Sequence, residues 1–478
     1  MLRTFRASCG QRTIATSFGT DSLLYPGPLT RLGASFFLFG LINNVLYVII
    51  LSAALDLVPQ STPKGIIAFW NIAPALVAKV GWPYLLKGEV RYAKRIVGCC
   101  ALSFVGMLMV GFSTSLGARL VGIGLASFSS GLGELTFLQL STTFSPPSVG
   151  GHAVGYFASG TGGAGLVGAF IWWEVRGFGV KAGIGMSSIL PFINPITYYC
   201  LLPLASAFVD ASTGPSSAYQ PLNAAADDED EVAVDDPEHN PLLMTSGYVP
   251  PTTTTGINSD ENGLTLKEKW ALSKPLLLKY MLPLFCVYTF EYIINQGIAP
   301  TLVYEVPSPD KYPVISKIIH SIRDYYPFWQ LTYQSFVFLS RSSITLGLPP
   351  LPRPLLSLPA FVQAIILVVL ALESALGIFE GGTNEEMGMS FWMIVVLIGV
   401  EGICGGLAYV NVFYRVNQEP LRPDASPIRA QQEQEFKIGS IGFADSSGIL
   451  VASLLAMPVE VGLCGVQVGR GKELCRTL

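Results

Sequence analysis

The chain has 478 residues, of which 50% are hydrophobic and only 13% carry Asp, Glu, Lys or Arg side chains. Soluble proteins average about 25% charged residues, so this composition leaves too little charge to cover a soluble surface and indicates a membrane protein. The net charge of −4 provides no overall basic field, which argues against a nucleic-acid partner.

The N-terminal segment, residues 1–32, is polar and basic. Arg3, Arg6 and Arg12 precede the first acidic residue, Asp21. A mitochondrial presequence can have this composition. The simpler interpretation, which we adopt, is a cytosolic tail.

Eleven apolar runs follow, each near the roughly 20 residues that cross about 30 Å of hydrocarbon as a helix. Because backbone groups in hydrocarbon must pair internally, each run is predicted to be an α-helix. Six runs form a predicted first half, 33–208, and five form a second half, 276–460, before a C-terminal tail over 461–478. The predicted spans are 33–55, 65–86, 96–112, 119–140, 153–173, 183–208, 276–303, 328–347, 355–373, 389–410 and 437–459.

The segment between the halves, 209–275, is rich in Asp, Glu, Pro, Ser and Thr and contains an unbroken acidic run at 227–231. Such a segment buries too little apolar surface to fold, so it is predicted to be a disordered loop. Glu238, Leu242 and Leu243 fit the acidic dileucine pattern by which adaptor proteins sort membrane cargo. Short patterns also arise by chance, and both interpretations stay open.

Lys and Arg residues flank the predicted spans unequally. Fifteen lie on the side that holds the N-terminus and the acidic loop, and six lie on the other side. The excess predicts that the N-terminus and the loop are cytosolic, and an odd number of spans then places the C-terminus across the membrane. The last four residues, Cys475 to Leu478, have the form of a prenylation signal. Because Arg476 is atypical there and Cys475 would lie away from the cytosol, we interpret the match as accidental.

Two helical halves joined by a long cytosolic loop are the layout of major-facilitator-type transporters, in which the substrate site lies between the halves. The predicted fold class is therefore an all-α polytopic membrane protein, a major-facilitator-like two-half bundle with about eleven transmembrane helices. Fold alone does not give function.

Six charged side chains lie well inside the predicted spans, away from their ends, where insertion of a charge costs roughly 2.5–3.5 kcal/mol. Each is either a structural ion pair, a long side chain reaching the interface, or a functional group. Carboxylates that face a central cavity can bind protons or cations, so we interpret the acidic members, together with Arg341, as candidate groups of a substrate or proton pathway. The six residues are Lys79, Glu134, Glu291, Arg341, Glu401 and Asp445.

A glycine-rich run within the fifth span includes Gly160, Gly162, Gly163 and Gly165, and with Gly168 it completes a GxGxxG pattern. A dinucleotide site would need a preceding strand and an acidic residue about 20 residues later, and an apolar span supplies neither. Small residues at this density either form a tight helix-packing face or break the helix beside a substrate path.

Three amides complete the candidate pathway. Asn43 and Asn44 interrupt the first span, and Asn295 shares a helix face with Glu291 because the two residues are four apart. Hydrogen bonding between helices is the simpler interpretation for all three.

Catalytic and cofactor motifs are missing from the sequence. A nucleophile elbow, a P-loop and an HExxH motif do not occur, so an enzyme is not indicated. The eight cysteines and three histidines do not fall at metal-ligand spacing, so no metal or other cofactor is predicted. The cysteines in apolar runs, Cys99, Cys100, Cys200, Cys286 and Cys404, are expected to be free thiols.

Five short motifs occur in order, at 39–45, 159–165, 291–297, 340–343 and 401–402. Together they resemble battenin, a family of lysosomal and vacuolar membrane proteins, and the chain is similar to a fungal member. The resemblance implies a major-facilitator-like fold, residence in the vacuolar membrane, and roles in vacuolar pH homeostasis, basic amino acid (arginine) transport or glycerophosphodiester release. It also carries over the glycine run, Glu291, Arg341 and Asp445 as family positions, and it matches Cys464 to a membrane-proximal cysteine.

Two hypotheses follow. In the first, the protein transports a small polar solute, with protons as a coupling ion. In the second, it is a membrane scaffold or regulator that acts on the vacuolar proton pump or on trafficking, with the acidic loop as its working part. Membrane lipid is a partner in either case, and adaptor proteins are partners if the dileucine pattern is used.

Overall fold

The structure is a computed structural model that describes residues 27–57, 64–85, 90–208, 263–379, 389–420, 422 and 426–477. Regular secondary structure within these ranges is entirely helical, as predicted. The sorting residues Glu238, Leu242 and Leu243 and nearly all of the tail 1–32 lie outside the described residues.

The first half contains five long helices and one interrupted segment. The interrupted segment runs from Val180 to Leu201 and includes two short α-helices, a 3₁₀ turn at Leu190–Phe192 and a π-helical turn at Thr197–Leu201. The helices are α1 Pro28–Leu57, α2 Lys64–Leu85, α3 Tyr92–Phe112, α4 Leu116–Ser141, α5 Pro147–Arg176, α6 Val180–Ser187 and α7 Ile193–Ile196.

The second half begins with a helical segment from Leu266 to Thr301 that contains two π-helical turns, Leu277–Met281 and Ile294–Ile298. Four further helices complete this half. The α-helices are α8 Leu266–Leu276, α9 Leu282–Ile293, α10 Tyr325–Arg341, α11 Leu358–Leu376, α12 Met389–Asn417 and α13 Pro427–Gly469.

The second half starts ten residues before the predicted 276, because Thr265 and Glu268 form a capping box that begins α8 inside the sequence assigned to the acidic loop. At the other end α13 continues to Gly469, past the predicted end of the second half at 460. The first stretch is polar and the second is rich in glycine, so both resemble loop in composition, but capping and packing on neighbouring helices keep them helical.

Among the described residues, eight helical segments are long and apolar enough to cross a membrane. Three further helical segments, α2, Val180–Leu201 and α10, coincide with the predicted second, sixth and eighth spans, so the total of eleven stays a prediction. The eight segments are Pro28–Ile50, Tyr92–Phe112, Leu116–Ser141, Pro147–Trp172, Leu266–Thr301, Arg353–Leu376, Ser390–Asn417 and Pro427–Gly469.

The bundle has two faces, which we name by what they carry. The loop face carries residues 208 and 263, which flank the acidic segment; the start of α13 lies there, because Phe436 packs on Leu264. The tail face, opposite, carries the C-terminal end of α13, where Gln467 donates hydrogen bonds to the carbonyls of Thr301 and Ser374.

Apolar packing joins the halves mainly toward the loop face. One large buried cluster there combines first-half residues such as Phe36 and Phe157 with second-half residues such as Tyr280 and Phe413. Toward the tail face the buried residues separate into two clusters, one drawn from each half. The halves therefore share a core at the loop face and have separate cores at the tail face.

The cysteines of the described residues fall into two groups, free thiols and one disulfide-bonded pair. The five cysteines in apolar runs, Cys99, Cys100, Cys200, Cys286 and Cys404, are free thiols, as predicted. The pair Cys464 and Cys475, at the tail face, forms a disulfide that the sequence reasoning did not anticipate.

Candidate functional site

A buried charge triad crosses from one half to the other. The Lys79 ammonium on α2 lies 2.9 Å from Oε2 of Glu134 on α4 and 3.1 Å from Oδ2 of Asp445 on α13. All three side chains are buried. One lysine cannot neutralise two carboxylates, so this triad retains a formal negative charge that a proton or another cation must offset.

Arg341, the last residue of α10, lies between the halves beside the triad. Its Nη1 donates a 2.8 Å hydrogen bond to Thr161 of the first half, and its Nη2 donates a 2.9 Å hydrogen bond to the Tyr288 hydroxyl. The guanidinium carbon lies 4.3 Å from the centre of the Tyr409 ring, which is cation–π geometry. Within the described residues no carboxylate pairs with this guanidinium, and its buried Nε has no hydrogen-bond partner.

Tyr409 connects Arg341 to the triad. Its ring packs under the Arg341 guanidinium, while its hydroxyl donates a 2.7 Å hydrogen bond to Oε1 of Glu134. Four side chains from both halves, Lys79, Glu134, Tyr409 and Arg341, therefore form one continuous polar chain across the interface.

A second cluster, the carboxylate pair, lies wholly inside the second half. Glu291 on α9 accepts hydrogen bonds from the Tyr333 hydroxyl and from Gln363. Glu401 on α12 accepts a 2.8 Å hydrogen bond from Asn295, which also donates to the Glu291 carbonyl. Both carboxylates are at most 1% exposed.

The carboxylate pair has no cation of its own in the described part of the chain, where no Lys, Arg or His forms an ion pair with either group. Oε2 of Glu401 is also buried without a hydrogen-bond partner. Two ionised carboxylates in such a site would be very costly, so the pair is suited to hold protons or a bound cation.

Local backbone geometry positions Asn295 in this cluster. The π-helical turn Ile294–Ile298 follows directly after α9, and Asn295 is its second residue. A π turn inserts one extra residue into a helix and is frequent at functional sites. It shifts the residues beyond Ile294 around the helix axis and aims Asn295 at Glu401.

Asn43 and Asn44 do not reach either cluster. Asn43 donates a 3.0 Å hydrogen bond to the Ser130 carbonyl on α4, and Asn44 donates to the Gly40 carbonyl in its own helix. Both serve packing within the first half, which is the simpler of the two interpretations.

The glycine run lies in a continuous helix, α5, and so does not break it. The glycines of the run face two neighbouring helices, α1 and α10. A Cβ on Gly160 would collide with the Phe37 carbonyl of α1, whereas Gly162 and Gly165 face Arg341 and Gln334 of α10; Gly163 faces α10 as well. The run is thus a packing face on two sides, and one side holds the first half against the Arg341 site.

Several residues of these clusters escaped the sequence reasoning. Tyr288, Tyr333, Tyr409, Thr161 and Gln363 are uncharged, and in an apolar span they resemble ordinary packing residues. Tyr288 could have been found from the sequence. It lies three residues before Glu291 and seven before Asn295, so the three side chains share a helix face.

Comparisons with known proteins agree with this architecture. The model of the family described as CLN3 protein matches residues 34–466. Protein BTN1 of Mycosarcoma maydis is 45% identical, covering 98% of this chain and 91% of its own. Protein BTN1 of Cryptococcus neoformans is 44% identical, covering 94% and 96%.

Among solved structures, the human organic anion transporter MFSD10 superposes with a TM-score of 0.52 at 11% identity. The match covers 94% of this chain and 100% of that one. At that identity the likeness shows the fold alone, which is that of a major facilitator. The chain therefore belongs to the CLN3 protein, or battenin, family and is a multi-pass membrane protein with a transporter-like fold.

Proposed function

We propose that the protein is a vacuolar transporter of small polar solutes that carry an anionic group, coupled to protons held by the carboxylate pair. The observation that carries the proposal is Arg341. This guanidinium lies between the two halves without a carboxylate partner in the described residues. An arginine that lies between the halves with no carboxylate bonded to its guanidinium is suited to bind the phosphate or carboxylate of a solute.

Both solute classes implied by the family fit this site through their anionic ends. A glycerophosphodiester would place its phosphate on Arg341, and a basic amino acid such as arginine would place its carboxylate there. For the amino acid, its cationic end also needs an acceptor. Glu291 is suitable because it lies one helical turn beyond Tyr288, which bonds Arg341.

Proton coupling is supported by the charge balance of the six candidate charged groups that lie well inside the predicted spans. Lys79 and Arg341 supply two positive charges, and the four carboxylates supply four negative charges, a formal sum of −2. Protons are the smallest cations that can offset such an excess, and their release would contribute to vacuolar pH homeostasis.

The shared core at the loop face supports a direction of access. Side chains from both halves close that face: Tyr92 donates a 2.5 Å hydrogen bond to Glu435, and Lys269 donates a 2.7 Å bond to the Pro83 carbonyl. In this conformation the solute would reach Arg341 from the tail face, and exchange between faces would require these contacts to break.

The test is flux with purified protein in proteoliposomes, measured for arginine, lysine and a glycerophosphodiester, with and without a pH gradient. Arg341→Gln is expected to abolish uptake of every solute with an anionic group. Glu291→Gln is expected to remove the dependence of flux on the pH gradient. Glu305→Gln, which alters an exposed carboxylate, is the matched control and should leave flux unchanged.

Unchanged flux in Arg341→Gln would overturn the assignment of the solute site. Absence of flux for the whole panel, together with loss of vacuolar pH control when residues 212–260 are deleted, would favour the regulator hypothesis instead.

A further inference from the structure

The C-terminal end of the chain forms a small closed structure at the tail face. Cys464, in the last turns of α13, is bonded to Cys475 in the segment that follows it, eleven residues later. The disulfide ties this segment back against the helix from which it emerges.

We call residues 464–475, closed by this disulfide, the hairpin. Hydrogen bonds fix its position relative to the bundle. Gln467 donates to the Thr301 carbonyl at 3.0 Å and to the Ser374 carbonyl at 2.8 Å, and Arg470 donates to the Ala375 carbonyl at 2.8 Å. Thr301 ends the helical segment that starts at Leu266, beside the acidic loop. The hairpin therefore lies one full helical length away from the loop face.

Disulfides persist in oxidising compartments and are rare in the cytosol, where thiols are kept reduced. A disulfide at the tail face assigns that face to the non-cytosolic side. The opposite, loop face is then cytosolic. The Lys and Arg bias of the sequence favours the same orientation by an independent physical effect, the retention of positive loops in the cytosol.

We propose that Cys464 and Cys475 are an oxidised pair in the lumen, and that Cys475 is consequently not a lipid-anchoring site. In forming the bond, the two thiols lose two protons and two electrons to the disulfide of a thiol oxidase, which leaves as a dithiol. A sulfur held in this bond cannot form a thioether with a prenyl group.

A cavity of about 430 Å³ lies under the hairpin, and the disulfide holds one of its walls in place. It is lined by Thr301, Glu460, Cys464, Cys475 and Arg476, among others. Reduction would release the segment that carries Arg476 from one wall of this cavity.

The first experiment counts oxidised cysteines in the full-length protein from native membranes. Free thiols are blocked with N-ethylmaleimide in denaturant, disulfides are then reduced, and the new thiols are labelled with maleimide-polyethylene glycol. The wild type is expected to gain two labels, and Cys464→Ser and Cys475→Ser are each expected to gain none. A wild type that gains none would overturn the proposal.

The second experiment determines the side of the membrane in sealed vacuoles with a membrane-impermeant maleimide. The readout is mass spectrometry of the peptide that contains residue 475. In Cys464→Ser, the Cys475 thiol is expected to react only after permeabilisation. The control Ser217→Cys, in the acidic segment, is expected to react in sealed vacuoles.

Reaction of Cys475 in sealed vacuoles, or a prenyl thioether on residue 475 of the wild type, would contradict the proposal. Neither outcome bears on solute flux, so this inference and the proposed transport function fail separately.

Discussion

At the residue scale, Lys79 joins the two halves through a buried ion pair on each side. It touches carboxylates on two helices from different halves, and the carboxylate on α4 is held in turn by Tyr409. A single ammonium therefore connects three helices through charge-assisted hydrogen bonds, which are about twice as strong as neutral ones.

Lys79→Met should destabilise the protein strongly, because Glu134 and Asp445 would then remain buried without their cation. Loss of one partner from a buried ion pair costs about 3–5 kcal/mol. The measurement is thermal unfolding of the purified protein in detergent.

The matched control is the triple variant Lys79→Met, Glu134→Gln, Asp445→Asn. Because all three charges are removed together, it should recover most of the lost stability. A single variant as stable as the wild type would show that the triad is not a stabilising ion cluster.

Glu419, just past the end of α12, shows how an ion pair at the loop face fixes a helix end. Its Oε1 lies 2.5 Å from the Lys279 ammonium and 2.8 Å from the Tyr280 hydroxyl. Burial alone would raise the pKa of Glu419, but the hydrogen bonds from Lys279 and Tyr280 outweigh burial and lower the pKa below its ordinary value.

Glu419→Gln should therefore lower the melting temperature modestly at pH 7, by an amount that corresponds to about 1 kcal/mol or less, because Lys279 is partly exposed. A lowered folded-state pKa gives stability that is complete above the ordinary value of about 4.3 and is lost as the pH falls through the folded-state value. The difference from wild type should thus shrink below about pH 4. A difference that grows with acidity would contradict this assignment.

At the element scale, α1 and α5 cross in close backbone contact. Gly40 and Gly160 face each other's backbones, and a Cβ on either would overlap a carbonyl oxygen of the opposite helix. Close approach of this kind is how small residues bring helices together in a membrane, where no hydrophobic effect drives them together.

Gly160→Ala should separate α1 from α5 and destabilise the protein by about 1–3 kcal/mol or more, as overpacking does. Gly98→Ala is the matched control, because a Cβ on Gly98 in α3 meets no atom within 4 Å. Alanine there improves helix propensity by up to about 1 kcal/mol, so stability should hold or rise. Equal effects of the two substitutions on thermal unfolding would argue against the close crossing.

The helices themselves could be predicted from the sequence because the requirement for internal backbone pairing leaves few alternatives to an apolar helix. Their ends could not: Lys267, Glu268 and Lys269 read as loop by composition, yet a capping box starts α8 there. The candidate site was predictable only in part. Burial of Glu291 and Asn43 followed from their spans, but which of them joins a polar cluster depends on packing between distant helices.

At the scale of the whole molecule, the two halves differ in what holds each together and what holds them to one another. Toward the tail face each half has its own buried cluster, whereas the loop face has one cluster shared by both. The covalent link between the halves runs through residues 209–262.

Cleavage of that link should leave the halves associated. A protease site is inserted at residue 230 and cleaved. The two fragments are expected to co-elute in mild detergent, because the contacts of the shared core and of the triad remain intact after cleavage. The same cut in Lys79→Met should show weaker association. Separate elution of the wild-type fragments would mean that the link, not the core, holds the halves together.

Tyr409 couples the Arg341 site to the contact between the two halves. One face of its ring stabilises Arg341, and its hydroxyl stabilises the carboxylate that pairs with Lys79. An anion that draws Arg341 off the ring therefore perturbs a contact that holds the two halves together. By thermodynamic reciprocity, the factor by which a bound solute weakens the association of the two halves equals the factor by which that association weakens solute binding.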